Sequence, residues 1–578
     1  MFHRFIPTAL LVAVSLLPVY AGEPQTLSEA RGRSGMVVTV SPPATEVGLA
    51  ILKAGGNAVD AAIAVEFALS VTWPEAGNIG GGGFMLVHPP GGNEVVCIDY
   101  RECAPGAATA TMFTPQDGRF THKIVGVPGT VSGMAKVHAR FGKLPWKQLV
   151  MQAVRLAAEG FVVDEALARS MNRVLGSEAT REAKHLQELI RVYGKKPQDG
   201  QESSKWQAGD CLVLPDLAET LQRIANHGAD GFYKGEIAER FAAEMQRGDG
   251  LITVQDLSNY QAKVRPAIRG TFRGYDVYGA PPPSSGGTCL VEMLNVLERF
   301  NLRDHGRYSA RNLHIIAETM KRVYCDRARF LGDQDFVEIP KRLTEKNYAR
   351  KLAEQIDERT ATPSETLAPE IDIKPESPST THFSVIDKNG LAVSNTTTLQ
   401  YSWGSRIVVK GAGFLLNNIM GDFNWYPGHT DRSGNIGTKP NLIVRGKRML
   451  SSQSPTIVAR KGRAVLCTGS PGGRTIINTS LQMVLNVIEF EMELPDAMRA
   501  ARIHHQWFPD KIVYETFGSH ITEETAAELE ARGHTLQART KSSYQGDAHS
   551  ITVDLETGEF HGVADWRLNG KASGYSDD

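Results

Sequence analysis

Apolar residues recur along the chain at two spacings. One is every second position in short β-branched runs and the other is every third or fourth position in longer stretches, and the two kinds interleave from end to end. From Pro145 to Gly160, Trp146, Leu149, Val150, Ala153 and Ala157 fall on one helical face, with proline opening the segment and glycine closing it. A core-packing helix is expected there. Amphipathic stretches from about Ser309 to Leu331 and from Thr522 to Arg532 predict two more helices, the second with acidic residues in its first turn and Gly533 beyond its end. The apolar run from Val59 to Val71 is interrupted by Asp60 and Glu66 and is too short to cross a bilayer, so it reads as a buried, alanine-rich helix. No repeat at solenoid periods is present, and interleaved strands and helices predict a layered α/β protein.

The segment Glu358 to Ser379, ERTATPSETLAPEIDIKPESPS, breaks this pattern with four prolines, clustered Ser, Thr and Glu, and little apolar periodicity. An exposed, mobile connection is expected, and an interdomain linker is its simplest reading. It leads directly into Thr380-Thr381-His382-Phe383-Ser384-Val385-Ile386-Asp387, then Lys388-Asn389-Gly390, then Leu391 to Leu399. Two β-prone runs around Asn-Gly predict a hairpin. Scission of the Ser379–Thr380 bond would give Thr380 a hydroxyl and a free α-amine on one residue. An α-amine has an ordinary pKa of roughly 7.7–8.0 and can serve as general base for the neighbouring hydroxyl.

Composition narrows the field. The 578 residues carry 63 basic and 64 acidic side chains, a formal net charge of -1, which removes the electrostatic footprint of a nucleic-acid binder and favours a small-molecule or peptide substrate. His3-Arg4, an apolar run from Thr8 to Leu17, and small residues up to Ala21 predict a secretory signal at 1–21, hence a soluble, exported mature chain, periplasmic or extracellular. The six cysteines have no C-x-x-C or metal-finger spacing, so most are expected to be buried free thiols, with Cys97 and Cys103 near enough in sequence to leave pairing open. His504-His505 lacks the spacing and carboxylate of a ligand motif and reads as packed histidines. Gly80 to Gly83 lacks the Lys-Ser/Thr of a P-loop, and T-G-S-P-G around Ser470 is no serine-hydrolase elbow.

Several motifs, in order and at matching spacing, resemble those of γ-glutamyltranspeptidases. They are Gly80-Gly81-Gly82-Gly83-Phe84, Asp99-Tyr100-Arg101-Glu102, Thr380-Thr381-His382, Leu415 to Asn418 with Asp422-Phe423, Leu450-Ser451-Ser452, and Thr468-Gly469-Ser470-Pro471-Gly472-Gly473. The resemblance spans essentially the whole mature chain. It implies an N-terminal-nucleophile hydrolase fold, a four-layer αββα sandwich, made as a precursor that cuts itself into a large subunit (22–379) and a small one (380–578). It further implies Thr380 as nucleophile, Thr398 as its orienting partner with Thr396 assisting, and Gly472 and Gly473 as oxyanion donors. Arg101, Ser451 and Ser452 would hold the substrate α-carboxylate, and Asp422 its ammonium.

Glutathione or related γ-glutamyl compounds would donate, and water, amino acids or short peptides would accept, with no cofactor and no metal. Two departures stand out: Gln400 replaces an Asn found in many members, and Ile419 replaces a Gln or Glu beside the substrate amine. They leave room for a related Thr-dependent amidase acting on glutaryl-type or poly-γ-glutamyl substrates. A non-catalytic exported binding protein is the remaining alternative, and it would leave Thr380 without a role. Residues 424–450 match the family's lid segment but lack a tyrosine at its middle.

Overall fold

A computed structural model of the protein describes residues 27–577 apart from 92–93, 197–203, 369–373, 376–379, 433, 519–520 and 569. The expected secretory signal and Ser379 therefore lie outside the described residues. The predicted helices form at Trp146–Glu159, Ala310–Phe330, Glu523–Ala531 and Ala58–Thr72. Their ends follow the expected chemistry: the Ser309 and Thr522 side chains accept from backbone amides three residues on, and Asn57 closes a capping box with Asp60.

Two seven-stranded antiparallel sheets stack face to face. The first runs, edge to edge, Lys571–Tyr575, Gly35–Thr39, Thr381–Asp387, Ala392–Thr398, Gly82–His88, Val96–Asp99, Lys263–Pro266. The second runs Ser28–Gly32, Phe560–Ala564, His549–Val553, Arg463–Thr468, Thr456–Arg460, Tyr275–Gly279, Ile268–Phe272. The twofold period of the strands sorts their side chains between layers. Met36, Val38, Phe84, Leu86, Ile386 and Ala392 meet Ile457, Cys467 and Ile551 between the sheets. Val37, Met85, Val87, Val385 and Val393 pack outward against Ala58–Thr72 and its neighbouring helices, whereas Val277, Val458 and Leu466 pack outward against Gly286–Leu297, Ala310–Phe330 and Thr475–Val484. The result is the four-layer αββα sandwich.

The predicted hairpin pairs Ile386 with Ala392 and Thr381 with Thr397. The strands are joined by four residues, 388–391, with Gly390 at φ 81°. The Asp387 carboxylate accepts from the Asn389 amide at 2.9 Å and from the Ala58 amide at 2.9 Å, tying the turn to the buried helix. Even-numbered residues of the hairpin face the other sheet, so Thr396 and Thr398 lie on the inner surface.

The segment beginning at Glu358 differs from the expected mobile connection over its first part. Thr362, Ser364 and Ala368 are held against the body: Ser364 donates its amide to Asp510 at 2.7 Å and its hydroxyl to the Trp507 carbonyl at 2.7 Å, and Ala368 is buried. Arg322 reaches Thr362 Oγ1 at 2.9 Å. Polar composition alone hides these contacts, because a polar side chain that satisfies a buried backbone looks the same in sequence as one in water. All six cysteines are free, with Cys97, Cys289, Cys325 and Cys467 buried, so Cys97 and Cys103 are unpaired with each other.

Beside this segment His314 Nδ1 and His534 Nε2 stand 2.7 Å apart, and His314 Nε2 faces the Asp357 carbonyl at 2.7 Å. Burial and then the neighbouring His314 push His534 down to about 3, with Lys321 adding to the depression and Glu318 opposing it. Burial lowers His314 as well. Both rings are neutral in the fold and take up protons on unfolding, so their contribution to stability is complete above a pH of about 6.5, the ordinary histidine value, and is lost as pH falls towards 3. Thermal melts between pH 7 and pH 4.5 should show a falling Tm, and His534→Asn should flatten that fall. An unaltered slope in the variant would assign the acid sensitivity to other groups.

Candidate active site

Thr380 lies at the start of the strand Thr381–Asp387, half-buried at the mouth of the sandwich. Its Oγ1 is 3.2 Å from Thr398 Oγ1, which also accepts from the Gln400 amide at 2.8 Å. Register puts the two hydroxyls together: the hairpin brings the end of one strand beside the start of the other, and residues 380 and 398 share the inner face. The glycine run explains how a further strand fits so closely. A Cβ on Gly81 would lie 2.2 Å from the Thr398 carbonyl oxygen, and one on Gly83 would lie 2.3 Å from that of Thr396. Gly80 to Gly83 thus serves backbone packing behind the site.

A narrow cavity of about 50 Å³ opens on Thr380 and Thr398 and is also lined by Arg101, Gln400, Asp422, Ser451, Ser452 and Gly473. Arg101 follows the strand Val96–Asp99 and is 1 % exposed, and its guanidinium pairs with Asp422. Gln400 Nε2 donates to Asp422 Oδ1 at 2.9 Å, while Gln400 Oε1 is buried without a hydrogen-bond partner among the described residues. Gln400 itself sits at φ 84°, a strained turn directly after the Thr398 strand. Ser451 Oγ accepts from the Gln453 amide at 3.0 Å, and Ser452 Oγ accepts from Arg327 at 2.9 Å. A ligand bearing a carboxylate and an ammonium on one carbon complements the Arg101–Asp422 pair head to tail.

Gly472 and Gly473 form the turn from the strand Arg463–Thr468 into the helix Thr475–Val484. Their φ angles, 125° and 58°, exclude ordinary side chains, and a Cβ on Gly472 would stand 2.4 Å from Thr475 Oγ1. The helix N-terminus behind them adds positive potential of the kind that favours an oxyanion. Thr396 is placed differently: its hydroxyl meets His382 Nδ1 at 2.9 Å and its carbonyl accepts from Gln453 at 2.9 Å, so it backs the site from beneath. Burial holds His382 well below the ordinary histidine range, leaving a neutral ring there.

Ile419 does not line this cavity. It is fully buried in an apolar cluster with Ala104, Ile124, Phe423 and Met449. Sequence reasoning missed Arg327 and Gln453, which hold the two serines. Arg327 lies in a helix recognised only for its amphipathicity, and its Nε donates to Ser285 Oγ at 2.9 Å. His504 and His505 are engaged by Asn478, Gln506 and Asp510.

The family model described as gamma-glutamyltranspeptidase matches residues 44–575. The chain belongs to the γ-glutamyltranspeptidase family. It is 43% identical over 556 residues to the glutathione hydrolase proenzyme of Escherichia coli (strain K12), covering 95% of this chain and 93% of that one. The Helicobacter pylori gamma-glutamyltranspeptidase structure is 39% identical and covers 56% of this chain and 91% of its own, with a TM-score of 0.51. A cephalosporin acylase structure from Bacillus halodurans matches 98% of this chain and 100% of its own at 25% identity, with a TM-score of 0.84. The γ-glutamyltranspeptidase family and this acylase therefore share the sandwich.

Proposed function

We propose that this protein is a self-processing γ-glutamyltranspeptidase and glutathione hydrolase that works through an N-terminal threonine. The observation that carries the reading is the convergence on one cavity of paired Thr380 and Thr398 hydroxyls with an Arg101–Asp422 ion pair. In the precursor the Thr380 hydroxyl attacks the Ser379 carbonyl, the acyl group moves from nitrogen to oxygen, and water releases it. This yields a large subunit, 22–379 after removal of the 1–21 leader in export, and a small subunit, 380–578. In the mature enzyme the Thr380 α-amine takes the hydroxyl proton as Oγ1 attacks the γ-carbonyl of glutathione or a related amide. Thr398 orients the hydroxyl, and the Gly472 and Gly473 amides receive the oxyanion. The amine leaves with the proton, and water or an amino acid or peptide amine resolves the ester.

Substrate selection follows from charge. Arg101, aided by Ser451 and Ser452, takes the α-carboxylate, while Asp422 and the unpartnered Gln400 Oε1 take the α-ammonium. A glutaryl group lacks that ammonium and would leave Asp422 and Gln400 Oε1 without it. The acylase likeness keeps the glutaryl amidase as the second reading, but its sequence support, Ile419, is buried away from the cavity. Rates with γ-glutamyl- and glutaryl-p-nitroanilide discriminate them. Preference for the γ-glutamyl compound is expected, and a strong glutaryl preference would reverse the assignment.

Arg101→Ala should raise KM for γ-glutamyl-p-nitroanilide roughly 10- to 150-fold, the equivalent of one charged hydrogen bond of about 1.5–3 kcal/mol, with a smaller effect on kcat. Initial rates over a range of donor concentrations check this. An unchanged KM would remove Arg101 from donor binding.

A further inference from the structure

Two acids interrupt the buried helix Ala58–Thr72, and they are used differently. Asp60 closes the capping box and accepts from the Lys143 and Leu144 amides. Glu66 lies in the middle of the helix, fully buried, and no cation acts on it among the described residues. Its carboxyl meets the outer face of the hairpin strand Ala392–Thr398. Oε1 stands 2.8 Å from Thr397 Oγ1, and Oε2 accepts from Asn395 Nδ2 at 2.9 Å. Asn395 Oδ1 in turn accepts from the Tyr100 hydroxyl at 2.8 Å. Gly83 leaves room for that hydroxyl, since a Cβ there would lie 2.8 Å from it. The two arms of this network stop one residue short of Thr398 and of Arg101.

Burial pushes Glu66 up to about 8, opposed by the hydrogen bonds to Thr397 and Asn395. The titratable group facing it is Tyr100, whose hydroxyl is held well above its ordinary range by burial and then by Glu66. The helices Pro42–Lys53, Thr130–Phe141 and Trp146–Glu159 and the strand Thr381–Asp387 also pack on Ala58–Thr72, and they bring no charged group to act on Glu66 among the described residues. At neutral pH Glu66 is therefore an acid with a proton to place. Thr397 Oγ1 is the acceptor within reach, and Thr397 then directs its own proton at the Gly82 carbonyl, 3.4 Å away. Gly82 is the register partner of Thr398. An ionised Glu66 would draw the Thr397 proton to itself and leave the Gly82 carbonyl without it.

We propose that Glu66 is a positioning residue for the transfer reaction: as a neutral acid behind the sheet it fixes, through Thr397 and through Asn395 and Tyr100, where Thr398 and Arg101 stand relative to Thr380. The inference rests on the roles given to those residues above and adds a control on them from the opposite face of the sheet. It also makes turnover sensitive to alkali. Loss of the Glu66 proton leaves a bare carboxylate in an apolar layer and breaks the chain of bonds that ends on Gly82, so the Thr398 end of the strand loses its fixed place as pH rises through about 8.

The test follows kcat of the mature, cleaved enzyme at saturating γ-glutamyl-p-nitroanilide across neutral and alkaline pH. In the unsubstituted enzyme kcat should fall on the alkaline side with a midpoint near 8. Glu66→Gln offers the same donor and acceptor as the neutral acid but cannot ionise, so it should keep kcat at neutral pH within about twofold and move the alkaline midpoint up by about one pH unit or more. Glu66→Leu has neither bond and should lose about tenfold or more in kcat, the scale on which small misplacements act. An alkaline fall that stays in place in Glu66→Gln, or a Glu66→Gln no more active than Glu66→Leu, would overturn the assignment. Should Glu66→Leu fail to fold, Glu66→Gln still decides through its pH profile and its melts. The stability owed to the neutral acid is complete below its ordinary value of 4.5 and is lost as pH rises through about 8, so Tm should fall with rising pH more steeply in the unsubstituted enzyme than in Glu66→Gln. Parallel slopes would refute the neutral acid. Failure of the unsubstituted enzyme to release p-nitroaniline at any pH would fault the donor reading instead, and self-cleavage rates of the same variants, with the melts, then decide the role of Glu66.

Discussion

Thr380→Ala should yield one uncut chain and reduce turnover of a γ-glutamyl donor by about 10⁴-fold or more, the scale of loss when a nucleophile is removed. The magnitude follows from using one oxygen twice. The hydroxyl that attacks Ser379 in the precursor is the hydroxyl that later accepts the γ-glutamyl group, so its removal stops both maturation and catalysis. Folding should survive, because the described bond of Thr380 Oγ1 is a 3.2 Å contact with Thr398 on a half-buried residue and the hairpin is held by backbone pairing. Thr380→Ser retains the hydroxyl and should still cleave, which separates loss of the nucleophile from disturbance of the strand. A denaturing gel and a p-nitroaniline assay read both outcomes. Efficient scission in the alanine variant would place the attacking group elsewhere.

Gly472→Ala should lower kcat by about 10²- to 10³-fold, the usual loss for one oxyanion donor, with a much smaller change in KM. Two features make this glycine irreplaceable. Its φ of 125° lies where side chains are strained, and the added Cβ would meet Thr475 Oγ1 at 2.4 Å. Thr475 Oγ1 also donates to the Gly472 carbonyl at 2.9 Å, so displacing it disturbs the turn and the first residue of the helix together. The same change should slow self-cleavage, since that reaction also passes through a tetrahedral oxyanion. Timed gels of freshly made protein alongside steady-state kinetics would check both effects. Normal kcat in the variant would remove the turn from oxyanion stabilisation.

Much of this architecture was legible in sequence because periodicity reports burial. The helix at Trp146–Glu159 and the hairpin around Asn389-Gly390 needed only local patterns, since their caps and turn residues lie within the elements themselves. Matched motifs pointed to Arg101, Asp422 and the serines, but their mutual contacts were invisible, because residues 101 and 422 lie 321 positions apart in sequence and meet only in the folded chain. The role of Arg327 was hidden for the same reason: it is one of many charged residues on a helix read only for its amphipathicity. Ile419 misled in the opposite direction: occupying a motif position suggested contact with substrate, whereas its side chain turns into the apolar cluster beneath the Ile419–Asp422 turn. The tail from Glu358 looked unanchored because its partners, Arg322, Trp507 and Asp510, are distant in sequence.

The catalytic account stands on the creation of a new chain end, and intact-mass spectrometry with amino-terminal sequencing of the purified active enzyme tests it most directly. Two chains are predicted, the smaller beginning Thr-Thr-His-Phe and carrying the mass of residues 380–578. A fully active preparation consisting of one continuous chain, or one whose second chain begins at any other residue, would contradict it.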